Sequence, residues 1–289
     1  MILITGAGGN VGKEVLKQAV LAGADIRAAY QSAAKADVPS GVAVAEVDFK
    51  KPETLAAALK GIERVFLVGP PTEELAELER EAMNVIRQSG AKQVVKLSAM
   101  GGRGANFPRL HAESEDYIRA SGVPFTFLRP NCFMQNAVVY NGETIKTQGV
   151  FYGSEGDGKV SQVDIRDVAA VAVRALTKDG HDGKTYTLTG PEALKSTEAA
   201  SLLSKAVGRE IRFVNLPAAE LRKALLAAGM TEWHADAVLD LQRFYGEGKA
   251  AEVTNDVEQV LGRAPISYAR FAHDYHAALE GERVVAAAR

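Results

Sequence analysis

Three glycines at intervals of three, Gly6, Gly9 and Gly12, stand between an apolar run, Ile2 to Thr5, and a helical pattern from Asn10 to Leu21. A strand that ends in such a turn and reopens as a helix is the first step of an α/β fold. Glycine lets the chain turn tightly, brings backbone N–H groups near a pyrophosphate and packs the helix closely on the sheet. The helix start adds unpaired N–H donors and the positive end of its dipole. The segment Gly6, Gly9, Asn10, Val11, Gly12 is therefore a candidate dinucleotide-binding turn.

The alternation of strand and helix continues to residue 130. Asp25 to Tyr30, Val42 to Phe49, Val65 to Val68, Val94 to Leu97 and Phe125 to Leu128 read as strands. Helical patterns cover Pro52 to Lys60, Glu73 to Gln88 and Leu110 to Ala120. The expected fold class is α/β, a Rossmann-type doubly wound parallel sheet with a smaller, mainly helical C-terminal cap. Beyond Pro130 the reading is a helix over Phe133 to Thr147, a turn-rich Ser154 to Gly158, a helix over Val168 to Leu176 and a strand over Tyr186 to Leu188. Helices then dominate: Ser196 to Val207, Ala218 to Ala228, His234 to Tyr245 and Tyr268 to Leu279, with one strand at Ile211 to Leu216. Residues 1–132 and 160–190 are expected to form the nucleotide-binding domain, and 133–159 with 191–289 the substrate or cap domain. A cleft between them is the default ligand site.

Composition narrows the function. Lys plus Arg is 34 against 36 for Asp plus Glu, with no block of like charge, which removes the electrostatic case for nucleic acid or an anionic membrane. No run reaches the roughly eighteen apolar residues of a membrane span. Cys132 is the only cysteine, so disulfides within the chain and cysteine-rich zinc sites drop out. The expectation is a cytoplasmic globular protein, compatible with a homodimer, that binds no metal.

The end of the second strand bears on which dinucleotide fits. An NAD site usually places Asp or Glu there, about twenty residues past the glycines, to bind the ribose hydroxyls. This chain has Tyr30, Gln31 and Ser32, and its nearby acid, Asp25, begins the strand at the wrong end. Gln31 and Ser32 can donate to a 2′-phosphate and Lys35 can add positive charge. The reading favours NADP(H) over NAD(H). Asp48 and Phe49 are placed to meet adenine, or else simply end a strand; Gly69 and Pro70 suit a cofactor wall, or an ordinary loop.

The segments Ile4 to Gly12, Val47 to Phe49 with Pro52 to Leu55, Ser121 to Arg129, Gly149 to Lys159 and Gly180 to Tyr186 together resemble the NmrA-like atypical short-chain dehydrogenases. Within that group the likeness is to type 2 quinone oxidoreductases and triphenylmethane reductase. The G-x-x-G-x-x-G spacing is the short-chain dehydrogenase form; the stricter G-x-G-x-x-G fails at Val11. The resemblance implies NADP(H) in the nucleotide domain, no flavin, and a quinone or dye held between domains. It also implies that Asn131, Cys132 and Phe133 border the nicotinamide; Pro130, just before them, is a candidate cofactor contact. Relatives commonly carry Arg at the position of Gln31, a departure that bears on NADP selectivity.

Ordinary short-chain dehydrogenases use a Tyr-x-x-x-Lys pair on the helix after the fifth strand, the tyrosine giving the proton. Here that helix carries His111 and Glu115 at the same spacing, either a proton donor with its neighbour or a structural pair. Ser98 ends the fifth strand, where a hydroxyl could reach the nicotinamide. Tyr245 and Lys249 match the motif literally, but lie far along the chain and include Gly246 and Gly248. Phe133, Tyr140 and Phe244 are candidates for an aromatic acceptor wall. The leading expectation is an NADPH-dependent reductase of a quinone or similar conjugated acceptor. The alternative is a non-enzymatic NADP(H)-sensing regulator with a protein partner.

Overall fold

Seven short strands form one parallel sheet in the computed structural model, which describes residues 1–281. In chain order the first elements are β1 (Ile2–Ile4), α1 (Asn10–Leu21), β2 (Ile26–Tyr30), β3 (Ala43–Glu46) and α2 (Pro52–Ala58). Next come β4 (Arg64–Leu67), α3 (Leu75–Ser89), β5 (Gln93–Leu97), α4 (Asn106–Ala120) and β6 (Phe125–Pro130). They are followed by α5 (Asn136–Val139), α6 (Gly142–Gln148), β7 (Val150–Gly153), β8 (Lys159–Val160), α7 (Ile165–Thr177) and β9 (Lys184–Leu188). Then β10 (Leu194–Lys195), α8 (Ser196–Val207), β11 (Arg212–Asn215), α9 (Ala218–Ala227), α10 (Glu232–Gly246), α11 (Asp256–Leu261) and α12 (Tyr268–Leu279) complete the described chain.

The sheet order is β3-β2-β1-β4-β5-β6-β9, and every neighbouring pair is parallel. This is the Rossmann-type doubly wound arrangement, with the order reversing between β1 and β4. The reversal opens a crevice at the carboxyl ends of those two strands, which the glycine-rich turn occupies. Leu3, Val65, Leu67 and Val94 of the sheet pack with Leu55, Leu59, Met83 and Ile86 of α2, its C-terminal turn and α3 in one buried cluster. Each such side chain contributes about 1.5–3 kcal/mol by leaving water.

The chain divides into two compact units. The first comprises Met1–Asn131, Ile165–Thr189 and Thr254–Pro265. The second comprises Cys132–Asp164, Gly190–Val253 and the chain from Ile266. Helix α11 lies in the first unit although the sequence reading left it in the 191–289 segment: Asp256 Oδ2 accepts from the Thr187 N–H of β9 at 2.6 Å. In the second unit β7 pairs parallel with β11, and β8 antiparallel with β10. Its core gathers Ile145, Leu203, Ile211, Phe271 and Leu279.

Several boundaries differ from the sequence reading for local reasons. The single helix expected over 133–147 is two short ones, α5 and α6, interrupted at Tyr140 and Asn141. Strand β3 stops at Glu46 because Asp48 starts a turn: its N–H donates to Thr54 Oγ1 at 3.0 Å, and its Oδ1 accepts from the Lys50 N–H at 2.9 Å. Helix α4 starts at Asn106 and takes Pro108 into its first turn, where no N–H is required. Among the described residues, no helix is long and apolar enough to cross a membrane.

Candidate functional site

The glycine-rich turn is held at the switch point by β1 and β4. The Thr5 hydroxyl accepts from the Val68 N–H at 2.7 Å and lies 3.1 Å from the Phe66 carbonyl oxygen. Gly6 takes φ +62°, a left-handed conformation that favours glycine. Its carbonyl accepts from the Gly9 N–H at 2.9 Å. Gly12 allows the close approach behind it: a Cβ there would lie 2.0 Å from the Gly6 carbonyl oxygen. Gly9 is the N-cap of α1 and Asn10 its first residue, and no side chain caps the helix start. The first N–H groups of α1 thus remain available, with the helix dipole, for an anion. Val11 is buried and anchors the turn to the core.

At the carboxyl end of β2 the chain enters a short turn, Ala33–Lys35, with Gln31 and Lys35 exposed. One expectation is corrected here. The sequence shows no acid beside Gln31, yet the register of β2 and β3 sets Glu46 opposite Tyr30. Glu46 Oε2 accepts from the Ala33 N–H at 3.2 Å, so a carboxylate does face this loop. Asp48 uses its carboxylate in the strand-ending turn described above, and Phe49 packs partly buried on the core. Gly69, ahead of Pro70 and Pro71, is fixed by its N–H, which donates to Glu79 Oε1 at 3.1 Å.

A buried polar cluster lies under the end of β5. The Lys96 ammonium pairs with Glu79 Oε2, and both side chains are fully buried. The Ser114 hydroxyl donates to the same Glu79 oxygen at 2.5 Å. Lys96 Nζ also stands 3.3 Å from the Leu97 carbonyl oxygen and 3.3 Å from His111 Nδ1. Burial and the adjacent Lys96 charge hold the His111 imidazole well below its ordinary range, so it is neutral at pH 7. Phe107 packs edge-on against the same ring.

Glu115 belongs to the other half of the cluster. Its Oε1 accepts from the Ser98 hydroxyl at 2.5 Å and from Arg129 Nε at 2.9 Å, and Arg129 Nη2 closes a fork on Oε2. His111 and Glu115 are therefore not a pair. They share a helical face but take different partners, one on β5 and the other on Ser98 and β6. Ser98 has one O–H donor and commits it to Glu115, so only its acceptor lone pairs remain. Pro130 is buried at the end of β6, its carbonyl accepting from the Met100 N–H at 2.9 Å.

The remaining candidates lie in the second unit. Phe133 forms an isolated bridge with Val163 and is half-buried. Phe244 is buried within the unit, whereas Tyr140 is 69% exposed. Tyr245 hydrogen-bonds Cys132, and Lys249 pairs with Glu247 at 2.5 Å, so these residues have separate partners.

Comparison with known proteins bears directly on this geometry. The family model described as NAD(P)H-binding matches residues 6–179, from the glycine turn through α7. The chain belongs to the NAD(P)H-binding family. It is 36% identical to the NAD(P)H azoreductase of Xenophilus azovorans, over 96% of this chain and 99% of that protein. It is 38% identical to a (4-alkanoyl-5-oxo-2,5-dihydrofuran-3-yl)methyl phosphate reductase of Streptomyces griseus, covering 91% and 93% of the two chains. The structure of an NADPH-dependent quinone oxidoreductase from Escherichia coli, complexed with NADPH, superposes with a TM-score of 0.85. It shares 27% identity over 95% of this chain and 99% of that one. The resemblance to NmrA-like short-chain dehydrogenases and type 2 quinone oxidoreductases is upheld, and the chain is an NAD(P)H-dependent oxidoreductase. No relative named here favours the regulator alternative.

Sequence reasoning missed three charged residues of this candidate site. Lys96 interrupts the apolar run Val94-Val95-Lys96-Leu97, and a lysine inside a buried strand signals a buried counter-charge. Glu79 lies on the inward face of α3 and is that counter-charge. Glu46 carries no local signal, since only the β2–β3 register brings it to Ala33.

Proposed function

We propose that the chain transfers hydride from NADPH, moderately preferred over NADH, to a quinone or similar conjugated, electron-poor acceptor. The observation that carries this is the content of the acid position on α4. Instead of tyrosine and lysine it holds a neutral, buried His111 and a Glu115 already bound by Ser98 and Arg129. Hydride addition to an isolated ketone makes an alkoxide nearly as basic as hydroxide, whose parent water has a pKa of about 15.7. Addition to a quinone makes a phenolate-like anion, comparable with tyrosine at about 10. Such an anion forms with little acid assistance and takes its proton from water, so catalysis rests on positioning. The compounds named in the two close relatives, an azo group and an alkanoyl-oxo-dihydrofuran, also present conjugated, electron-poor double bonds.

The bound nicotinamide cofactor supplies the hydride. Gly6, Gly9, Asn10, Val11 and Gly12 receive its pyrophosphate, while Gly69, Pro70 and Pro130 wall its path. Gln31 and Lys35 favour a 2′-phosphate; Glu46 opposes it, which makes the preference modest. Asp48 keeps its turn, and Phe49 offers an apolar edge to adenine. His111 donates a hydrogen bond to the acceptor and Ser98 accepts one from the nicotinamide amide. Phe133 and the exposed Tyr140 remain the aromatic candidates for an acceptor, and Phe244, buried in its own unit, is a core residue.

The test is NADPH absorbance over time with a panel of quinones, azo dyes and simple ketones, corrected for the uncatalysed reaction. Acceleration with conjugated acceptors and none with isolated ketones is expected. No acceleration across the panel, with cofactor binding intact, would overturn the reading and leave a non-enzymatic cofactor sensor.

A further inference from the structure

We propose that Lys96 is a positioning residue that fixes His111 as a neutral imidazole with its proton on Nε2. His111 then serves as a permanent hydrogen-bond donor and not as a titrating acid. An ammonium carries three hydrogens and accepts nothing. Lys96 Nζ has three acceptors about it: Glu79 Oε2, the Leu97 carbonyl oxygen and His111 Nδ1. Nδ1 must receive the third hydrogen, which leaves the single imidazole proton on Nε2. Protonating Nδ1 would set two donors, both positively charged, 3.3 Å apart in a fully buried place.

The surrounding charges support this assignment. Glu79 of α3 could otherwise raise the basicity of His111, but it is taken up by Lys96, Ser114 and the Gly69 N–H. Glu115, one turn along α4, is taken up by Ser98, by Arg129 of β6 and by Arg119 at 3.5 Å. The charge in direct contact with the His111 ring is the Lys96 ammonium, and it acts in the same direction as burial. Glu79 also joins this cluster to the Gly69 loop, so one buried carboxylate aligns both the loop and the lysine that orients His111. The catalytic consequence rests on the reductase reading: His111 steadies an anion on the acceptor without giving up its proton.

The test is 15N-detected imidazole NMR on the full chain across pH 5–8, with the His111 signals assigned by their loss in His111→Asn. The parent should show Nε2–H and unprotonated Nδ1 throughout, with no titration. In Lys96→Met the lone Glu79 charge should raise the His111 pKa into the observed range. In Lys96→Met/Glu79→Gln, which removes the buried ion pair as a whole and so guards against loss of folding, the pKa should lie between those of the parent and the single variant. A parent His111 that carries Nδ1–H, or titrates near its ordinary value, would overturn the proposal. So would a folded variant whose His111 keeps the parent's titration. These spectra need neither acceptor nor turnover, so they stand or fall separately from the NADPH-oxidation panel.

Discussion

Gly9→Asp should leave the fold as stable as the parent, or slightly more so, while weakening cofactor binding more than a hundredfold. Gly9 is the N-cap of α1, with φ −81° and ψ 168°, an extended conformation open to any residue. Its added Cβ would meet only the Gly6 carbonyl oxygen, at 3.3 Å, which asks a few tenths of an ångström of the turn. Aspartate is a preferred N-cap, worth a few tenths of a kcal/mol over glycine. A carboxylate at a helix start adds about 0.3–1 kcal/mol through the dipole. The melting temperature should therefore hold or rise by roughly 1–4 °C. Binding responds in the opposite sense. At about 5 Å and an effective dielectric of about 20, each unit charge of the pyrophosphate would be repelled by roughly 3 kcal/mol. Two such charges, with half the effect lost to salt and water, still leave about 3 kcal/mol, or more than a hundredfold in Kd. Isothermal calorimetry with NADPH, paired with a thermal melt, reads both quantities. A folded variant that binds as tightly as the parent would refute the assignment of this turn.

Gly12→Ala should act on the fold itself, because its Cβ would strike the Gly6 carbonyl oxygen at 2.0 Å and neither atom can rotate away. A backbone clash this close puts overpacking at the upper end of about 1–3 kcal/mol, so after about 1 kcal/mol of helix propensity stability should fall by roughly 2 kcal/mol in urea unfolding; an unchanged midpoint contradicts it. Glu46→Gln should strengthen the preference for NADPH over NADH and Lys35→Ala should weaken it, as calorimetric dissociation constants will show; no change in either ratio removes both residues from cofactor choice. His111 has its folded pKa lowered by burial and Lys96, against about 6.5 unfolded. Its contribution is present above that unfolded value and is lost as pH falls below it toward the folded one. Melting temperature should therefore fall more steeply below pH 6.5 in the parent than in His111→Gln, and equal slopes would contradict the assignment. Cys132 runs the other way: burial pushes its thiol up, so its contribution is present below about pH 8.5 and lost as pH rises. Cys132→Ser should lose less stability between pH 8 and 10 than the parent does, and an equal loss would tell against it.

The sheet was legible because a parallel strand covered on both faces must be apolar throughout, as Ile2 to Ile4 and Val65 to Leu67 are. The glycine turn was legible because its chemistry is local: Gly6 needs a left-handed φ and Gly12 a missing Cβ. The polar cluster was only half legible. Helical spacing put His111 and Glu115 on one face, but their partners come from neighbouring strands and the strand end: Lys96 on one side, Ser98 and Arg129 on the other. Spacing on one helix cannot show which neighbour each residue meets. Glu46 was hidden for the same reason, since the β2–β3 pairing alone sets it opposite Tyr30. Tyr140 read as part of one helix over 133–147, and the break between α5 and α6 leaves it exposed.

The most direct measurement is a single-turnover mixing experiment with NADPH carrying deuterium at C4, on either face in turn, against a benzoquinone-type acceptor. Direct hydride transfer within this chain should slow the loss of NADPH absorbance for one face only, with no flavin added and little dependence on pH between 6 and 8. Loss of NADPH that is insensitive to deuterium on either face, or that appears only when flavin is supplied, would contradict hydride transfer from a cofactor held in the Gly6–Gly12 turn.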